Sequence, residues 1–270
     1  MIQLGLIGYP LGHSLSPKIH GAALKACGLN GNYSLFPIDP DDKQGLKDLL
    51  GRIRSGEITG LNVTIPHKQN VIEFMDELTP TAQAIGAVNT ICMRENKLIG
   101  ENTDASGFLT DLKRVWNSSL INHSALILGA GGSSRAVVYA LLNDGWNITL
   151  AARRIEQAQQ LANTFPDYHL LLTTFDLRPS TFDLIVNTTP LGMTPNIGTS
   201  PLPQNVILSP DIMIYDLVYN PRETKLVKDA RTQGCSAVTG LGMLIEQAAL
   251  AFEIWTGHTP PRDVLYDAVV

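Results

Sequence analysis

Residues 125–142 constrain the fold of this chain more than any other stretch. Four apolar residues, Ala125-Leu126-Ile127-Leu128, run into Gly129-Ala130-Gly131-Gly132-Ser133-Ser134, and apolar residues then recur at Val137, Val138, Leu141 and Leu142. A buried strand that passes through a glycine turn into a helical period is the opening of a βαβ unit. The same alternation runs along the rest of the chain. Residues 1–7 read as a first strand, closed by Gly8-Tyr9-Pro10-Leu11-Gly12. A helix follows from Pro17, with Ser16 as its N-cap, Ile19, Ala22, Ala23 and Ala26 on one face and Gly28 as its stop. Further strands are predicted over 32–38, 60–64, 125–128, 147–151, 184–186 and 212–217, and helices over 43–55, 107–116 and 241–255. Residues 67–100 hold one or two helices and a small hairpin about Glu95-Asn96-Lys97, and 117–124 form a polar joint. This pattern predicts parallel sheets covered by helices, an α/β fold. With 270 residues, of which 44% are hydrophobic, the chain has room for two modest cores. Residues 1–104 with 241–270 read as one domain and 105–240 as the other, the last helix returning to the first domain so that the two share a cleft.

Composition removes several classes of function. Twenty Lys and Arg against twenty-five Asp and Glu give a net charge of −5 with no basic run, which argues against nucleic acid or an anionic membrane as partner. No run approaches the ~18 apolar residues of a membrane span, and the start, MIQLGLIGYPLGHS, lacks the basic region of a signal peptide. Cys27, Cys92 and Cys235 are odd in number and far apart, as expected of buried thiols in a reducing cytoplasm. His13, His20, His67, His123, His169 and His258 show no metal-ligand spacing, so no metal site is expected. His67 is expected in a surface or packing role, and Met193, Met213 and Met243 as fillers of the core or of the nucleotide side.

The glycine turn can do more than reverse the chain. Glycines between a strand and a helix let backbone N–H groups approach a pyrophosphate at the helix N-terminus, although such turns also occur with no ligand. Ser134 stands where the third glycine of G-x-G-x-x-G is usual. An NAD site places Asp or Glu about 20 residues further on, to accept from the ribose 2′-hydroxyl. Here that place reads Ala151-Ala152-Arg153-Arg154. Two guanidiniums suit a 2′-phosphate and point to NADP; the plainer reading is a solvated basic start to the next helix.

Three polar clusters interrupt the first domain. In Gly12-His13-Ser14-Leu15-Ser16-Pro17 two hydroxyls flank a helix start, a place to bind a carboxylate, though a cap and a turn explain them equally. In Asn62-Val63-Thr64-Ile65-Pro66-His67-Lys68, Asn62 and Thr64 share a strand face, and Lys68 sits at a helix start, where a cation is electrostatically unfavourable. The third cluster pairs Asn89-Thr90 with Glu101-Asn102-Thr103-Asp104, where Asp104 could also be an N-cap. This inventory suits a small polyhydroxylated anion, and beside a dinucleotide cradle it suits hydride transfer at a secondary alcohol. Lys68 and Asp104 are the pair available to exchange the hydroxyl proton.

The segments HSLSPKIH, NVTIPHK, GAVNT, ENTDASGF, GAGGSSRA, NTTPLGM, DLVYNP and GLGMLIEQAAL, in that order, resemble the shikimate dehydrogenase family along nearly the whole chain. The resemblance implies an open α/β substrate-binding domain plus a Rossmann domain, and reversible NADP-linked reduction of 3-dehydroshikimate to shikimate on the route to chorismate and the aromatic amino acids. It implies Lys68 and Asp104 as the catalytic pair, and substrate contacts from Ser14, Ser16, Thr64 with Asn62 beside it, Asn89, Tyr219 and Gln247. It implies pyrophosphate binding at Gly129, Ala130, Gly131, Gly132 and Ser133, a nucleotide motif at Ala152-Arg153-Arg154, and Leu217 and Gly240 on the nicotinamide side. Gly21 and Ala152 stand where the family usually has Asn. Two serines in HSLS lean towards shikimate rather than quinate. The rivals are a quinate or dual enzyme accepting NAD, and a non-catalytic NADP-binding regulator; the protein is expected in the cytoplasm as monomer or homodimer.

Overall fold

The first strand, β1 (Ile2–Gly8), pairs in parallel with β2 (Gly31–Pro37) on one side and β3 (Gly60–Val63) on the other. The coordinates are a computed structural model that describes residues 1–116, 123–168, 170–173 and 181–270. Two compact units emerge, residues 1–107 with 245–270 and residues 108–244. Of the joint expected over 117–124, residues 117–122 lie outside the described residues, as does His169, and Ser124 already belongs to a strand.

In the first unit the sheet order is β2-β1-β3-β5-β6-β4, with β4 (Glu77–Leu78), β5 (Thr90–Arg94) and β6 (Lys97–Glu101) completing it. The sheet is mixed rather than parallel: β5 runs antiparallel to both β3 and β6. The reason is local. Arg94 pairs with Lys97 across two residues, Glu95 and Asn96, with φ of 50° and 61°. Positive φ at both central positions is the I′ geometry that matches strand twist, so the chain returns at once instead of crossing over.

Two helices of this unit show how burial selects a face. In α2 (Lys43–Arg54) the Asp42 carboxylate accepts from the Gly45 N–H at 2.8 Å as N-cap, and Leu46, Leu49, Leu50 and Ile53 pack with Ile7, Leu61 and Val63. Helix α1 (Ser16–Ala26) departs from expectation in two ways. Ser16 is inside the helix and Leu15 is the N-cap, because the Ser14 hydroxyl already accepts the Ser16 N–H at 3.2 Å and the chain is helical one residue earlier. The buried face is Ser16, Ile19, His20, Ala23 and Leu24, so a histidine lies inside where Ala26 was expected.

His20 stacks flat on Tyr33, with ring centroids 4.4 Å apart, and is flanked by Trp255 and Phe252. Burial lowers its pKa from 6.5 to about 3; the Asn62 side chain offsets only part of this, and neither ring nitrogen has a hydrogen bond of good geometry. The unfolded chain therefore binds this proton below 6.5 while the folded chain refuses it down to about 3. Stability is whole above that window and falls as pH drops through it, by ~1.4 kcal/mol per pH unit where this group dominates. Denaturant unfolding of the wild type from pH 7 to 4 is expected to show a steeper loss than His20→Leu; equal slopes would unlink His20 from acid stability.

The second unit is doubly wound. Strands β7 (Ser124–Leu128), β8 (Asn147–Ala151), β9 (Leu171–Thr173), β10 (Leu184–Asn187), β11 (Met213–Asp216) and β12 (Ser236–Thr239) are all parallel, in the order β12-β11-β10-β7-β8-β9. Counted within the unit this is the 3-2-1-4-5-6 order of the Rossmann fold, with its switch point between β7 and β10. Met213 and Met243 are buried, but Met193 is 45% exposed and fills no core.

Candidate active site

In open α/β sheets ligands bind beyond the carboxyl ends of the strands, where neighbouring connections diverge. In the first unit that place lies beyond β1 and β3. The Thr64 N–H donates to the Ile7 carbonyl at 2.8 Å and the Tyr9 N–H to the Ile65 carbonyl at 3.0 Å, so the loops that follow the two strands run together. One connection carries Ser14 and leads to Ser16 in the first turn of α1, and the other carries Thr64 and Lys68. Among the described residues the Ser16 and Thr64 hydroxyls find no protein partner. Strand β3 ends at Val63, which leaves Thr64 in the loop, and residues 65–69 are a turn ahead of a 3-10 segment at Asn70–Phe74. Lys68 is thus not in a first helical turn, and the expected clash with a helix dipole does not arise.

Lys68 Nζ donates to Asp104 Oδ2 at 2.6 Å, with the two residues 8% and 4% exposed. Asp104 opens α4 (Asp104–Val115), yet it is not the cap. The Asn102 side-chain oxygen accepts from the N–H groups of Asp104 (3.0 Å) and Ala105 (3.4 Å), which leaves the Asp104 carboxylate for other partners. Its Oδ1 accepts from Asn89 Nδ2 at 2.8 Å. That amide also reaches Thr103 Oγ1 at 2.9 Å and, at 3.4 Å, the side chain of Gln247 on α8 (Leu241–Thr256). Asn62 faces inward: it accepts from the Tyr33 hydroxyl at 2.8 Å and donates to the Asn89 carbonyl and to Thr90 Oγ1. Lys68, Asp104, Asn89, Asn62 and Gln247 are therefore one connected network, while Ser14 and Thr64 stand on the loops that follow β1 and β3 and Ser16 opens α1. His67 is buried, its Nε2 2.7 Å from the Ile38 carbonyl, in a packing role.

In the second unit Gly129 follows β7 with φ of +112°, and a Cβ there would lie 2.6 Å from Thr188 Oγ1, so only glycine fits. Ser134, in the third glycine place, is buried and donates its hydroxyl to the Gly129 carbonyl at 2.8 Å, closing the turn. Gly131 differs. A Cβ on it would touch nothing within 4 Å, and it is the N-cap of α5 (Gly132–Asn143) with no side chain capping the helix. The space at Gly131 and the start of α5 without a side-chain cap, flanked by Ala130, Gly132 and Ser133, fit a pyrophosphate. The Gly129 N–H donates to the Ala151 carbonyl at 2.8 Å, which sets the loop beside Ala152-Arg153-Arg154. Ala152 is buried; both arginines are exposed, and none of the ion pairs among the described residues includes them. This donor set suits NADP.

Further along the same sheet edge, a Cβ on Gly240 would lie 2.4 Å from the Leu217 carbonyl, so the two residues adjoin beyond β11 and β12. Burial raises the Tyr219 hydroxyl above the ordinary tyrosine range. A buried Asp216 holds this edge together, accepting from Asn187 (2.8 Å), Thr224 (2.6 Å) and the Val218 N–H (3.1 Å), and its pKa is raised by burial. Asp216 and Tyr33 escaped sequence reasoning, while Thr90 stood in its polar cluster without a role of its own. Asp216 lies in DLVYNP, but nothing in its own spacing marks it.

A doubly wound dinucleotide-binding unit, joined in one chain to a unit with a buried lysine–carboxylate pair, defines the class of nicotinamide-linked oxidoreductases. Sequence models agree in detail: the shikimate dehydrogenase substrate binding domain matches residues 6–91, shikimate / quinate 5-dehydrogenase matches 112–223, and the shikimate 5'-dehydrogenase C-terminal domain matches 240–270. The chain belongs to the shikimate dehydrogenase family. It is 42% identical over 274 residues to the shikimate dehydrogenase (NADP(+)) of Salinibacter ruber, covering 98% of this chain and 95% of that one. A Thermus thermophilus shikimate 5-dehydrogenase solved with NADP(H) and shikimate is 36% identical at a TM-score of 0.89, covering 99% and 98% of the two chains. A Corynebacterium glutamicum quinate dehydrogenase solved with NAD is 32% identical, also at 0.89, with the same coverage.

Proposed function

We propose that this chain catalyses the reversible NADPH-dependent reduction of 3-dehydroshikimate to shikimate, with Lys68 and Asp104 as the acid–base pair. The observation that supports the pair is the 2.6 Å contact between Lys68 Nζ and Asp104 Oδ2 at the mouth of the first unit's switch point. NADPH supplies the hydride for the carbonyl carbon. The carbonyl oxygen then needs a proton, and Lys68 supplies it; in the reverse direction the lysine receives the hydroxyl proton. Asp104 holds the ammonium in place and balances its charge, and Asn89 in turn orients Asp104. Ser14, Ser16 and Thr64 are the hydroxyls proposed to receive the substrate carboxylate, with Asn89, Tyr219 and Gln247 meeting its hydroxyl groups. A site built from such donors rejects analogues that leave them unpaired. Arg153 and Arg154 are proposed to read the 2′-phosphate, with Ala152 against the ribose, and Leu217 and Gly240 to border the nicotinamide.

No helix among the described residues is long and apolar enough to cross a membrane, and all three cysteines are free, which supports a reducing cytoplasm. The reaction as written calls on no second chain, consistent with a monomer or homodimer.

The test is nicotinamide absorbance on mixing the protein with shikimate or quinate and with NADP or NAD. Reduction of NADP by shikimate is expected to be the fastest of the four. Faster NAD reduction by quinate would transfer the chain to the quinate branch of its family, and no change in any arm would leave only a nucleotide-binding regulator.

A further inference from the structure

Four hydrogen bonds behind the acid–base pair all point the same way. The Thr103 N–H, 2.8 Å away, can only donate, so the atom of Asn89 that faces it is Oδ1, and Nδ2 must face Asp104. The backbone carbonyl of Asn89 can only accept, so Nδ2 of Asn62 faces it, and Oδ1 of Asn62 takes the Tyr33 O–H. Thr90 Oγ1 accepts from Asn62 Nδ2 at 3.3 Å and so sends its own proton to Asn89 Oδ1, 3.0 Å away. The direction is then forced throughout: Tyr33 donates to Asn62, Asn62 to Thr90, Thr90 to Asn89, and Asn89 to Asp104.

The sheet builds this line. Asn62 pairs with Leu6 on one side and with Thr90 on the other, and Leu4 pairs with Tyr33, so all of them project from the same sheet face. Tyr33 reaches across β1, and His20 stacked on its ring holds it there. Thr90 and Asn62 are buried, so water cannot replace the donors.

We infer that Tyr33, Asn62 and Thr90 are positioning residues, a polarised chain of donors that, together with the Thr103 N–H, holds Asn89 in the one orientation that donates to Asp104. An asparagine has two nearly isosteric orientations. The flipped one would set the amide oxygen against the Asp104 carboxylate and leave the Thr103 N–H facing an NH₂ group. Each donor in such a chain also strengthens the next. This inference rests on the proposed Lys68–Asp104 pair, and it moves Asn62 from beside the substrate to behind Asn89.

The test compares Thr90→Val, Thr90→Ser and Tyr33→Phe with Lys68→Ala in steady-state shikimate oxidation, each rate normalised to the fraction of folded protein. Thr90→Val keeps the shape and removes the hydroxyl. It is expected to lower kcat by ~5–30-fold, the effect of one lost donor in a buried network, with the KM for NADP within about twofold. Thr90→Ser restores the hydroxyl and should return kcat to within about twofold, and Tyr33→Phe, which removes the far donor, should lower kcat by about two- to fourfold. A purely structural role for Thr90 would lower the melting temperature and leave the normalised kcat alone. Wild-type kcat in Thr90→Val, or equal losses in Thr90→Ser and Thr90→Val, would overturn the inference while a dead Lys68→Ala leaves the pair standing. If Thr90→Val does not fold, Tyr33→Phe decides, and wild-type kcat there overturns it. Full activity in Lys68→Ala would remove the pair and the chain of donors behind it together.

Discussion

Lys68→Ala is expected to lower kcat by ~10²–10⁴-fold, the usual weight of a positioned acid–base group, with a much smaller change in the KM for shikimate. The argument starts from burial. Lys68 and Asp104 are almost out of water and 2.6 Å apart, so the ammonium sits where a proton can move to a substrate oxygen without a solvent relay. Removing the amine takes away the donor. It also leaves the Asp104 carboxylate buried with Asn89 but without its cation, and breaking such a pair costs about 3–5 kcal/mol of stability. Both effects are measurable separately: turnover on the folded fraction reads the chemistry, and thermal unfolding reads the stranded charge. Loss of stability with turnover at the wild-type rate would make the pair a structural one.

Arg153→Ala combined with Arg154→Ala is expected to raise the KM for NADP by about 10–100-fold while that for NAD stays within about twofold. A hydrogen bond to a charged group is worth about 1.5–3 kcal/mol, but both side chains are exposed, so screening trims their sum. The split between the two cofactors carries the meaning, since NAD differs from NADP only in lacking the 2′-phosphate. Raising the ionic strength should shrink the gap. Equal losses with both cofactors would show that the two arginines shape the start of α6 (Ile155–Ala162), whose N-cap is Arg154, and do not read the phosphate.

Much of the fold was legible because its signals are local. The strand at 147–151 and the helix starting at Lys43 were found where their apolar periods and flanking polar residues placed them. The hairpin at Glu95-Asn96 was legible because a two-residue turn needs side chains that tolerate positive φ. Strands β4 and β9 escaped, since two or three residues carry no period, and β12 escaped as well. On the buried face of α1, Ile19 and Ala23 were legible but His20 was not: a histidine between aromatic rings looks, in sequence, like any polar residue on an exposed turn.

The polar residues of the site divide in the same way. Lys68 and Asp104 could be singled out because a cation expected at a helix start and a carboxylate in an Asn-rich segment invite a chemical explanation. The division of labour around them could not be. Asn62 and Thr64 are two residues apart and were expected on one strand face, yet one turns into the protein and the other stays on a loop, because β3 ends between them. Asp104 and Asn102 both suit a cap in sequence, and in the fold Asn102 caps while Asp104 meets Lys68.

By itself, then, the order of residues determined the alternation of strands and helices, the glycine turn before α5 and the chemical types gathered for catalysis, all properties carried by neighbours in the chain. Only the tertiary structure decided which of those groups are partners. Tyr33, Asn62, the adjacent pair Asn89-Thr90, and Asp104 come from four separate segments, and a hydrogen bond forms only at about 3 Å, a distance that strand pairing and burial set and that sequence spacing does not encode.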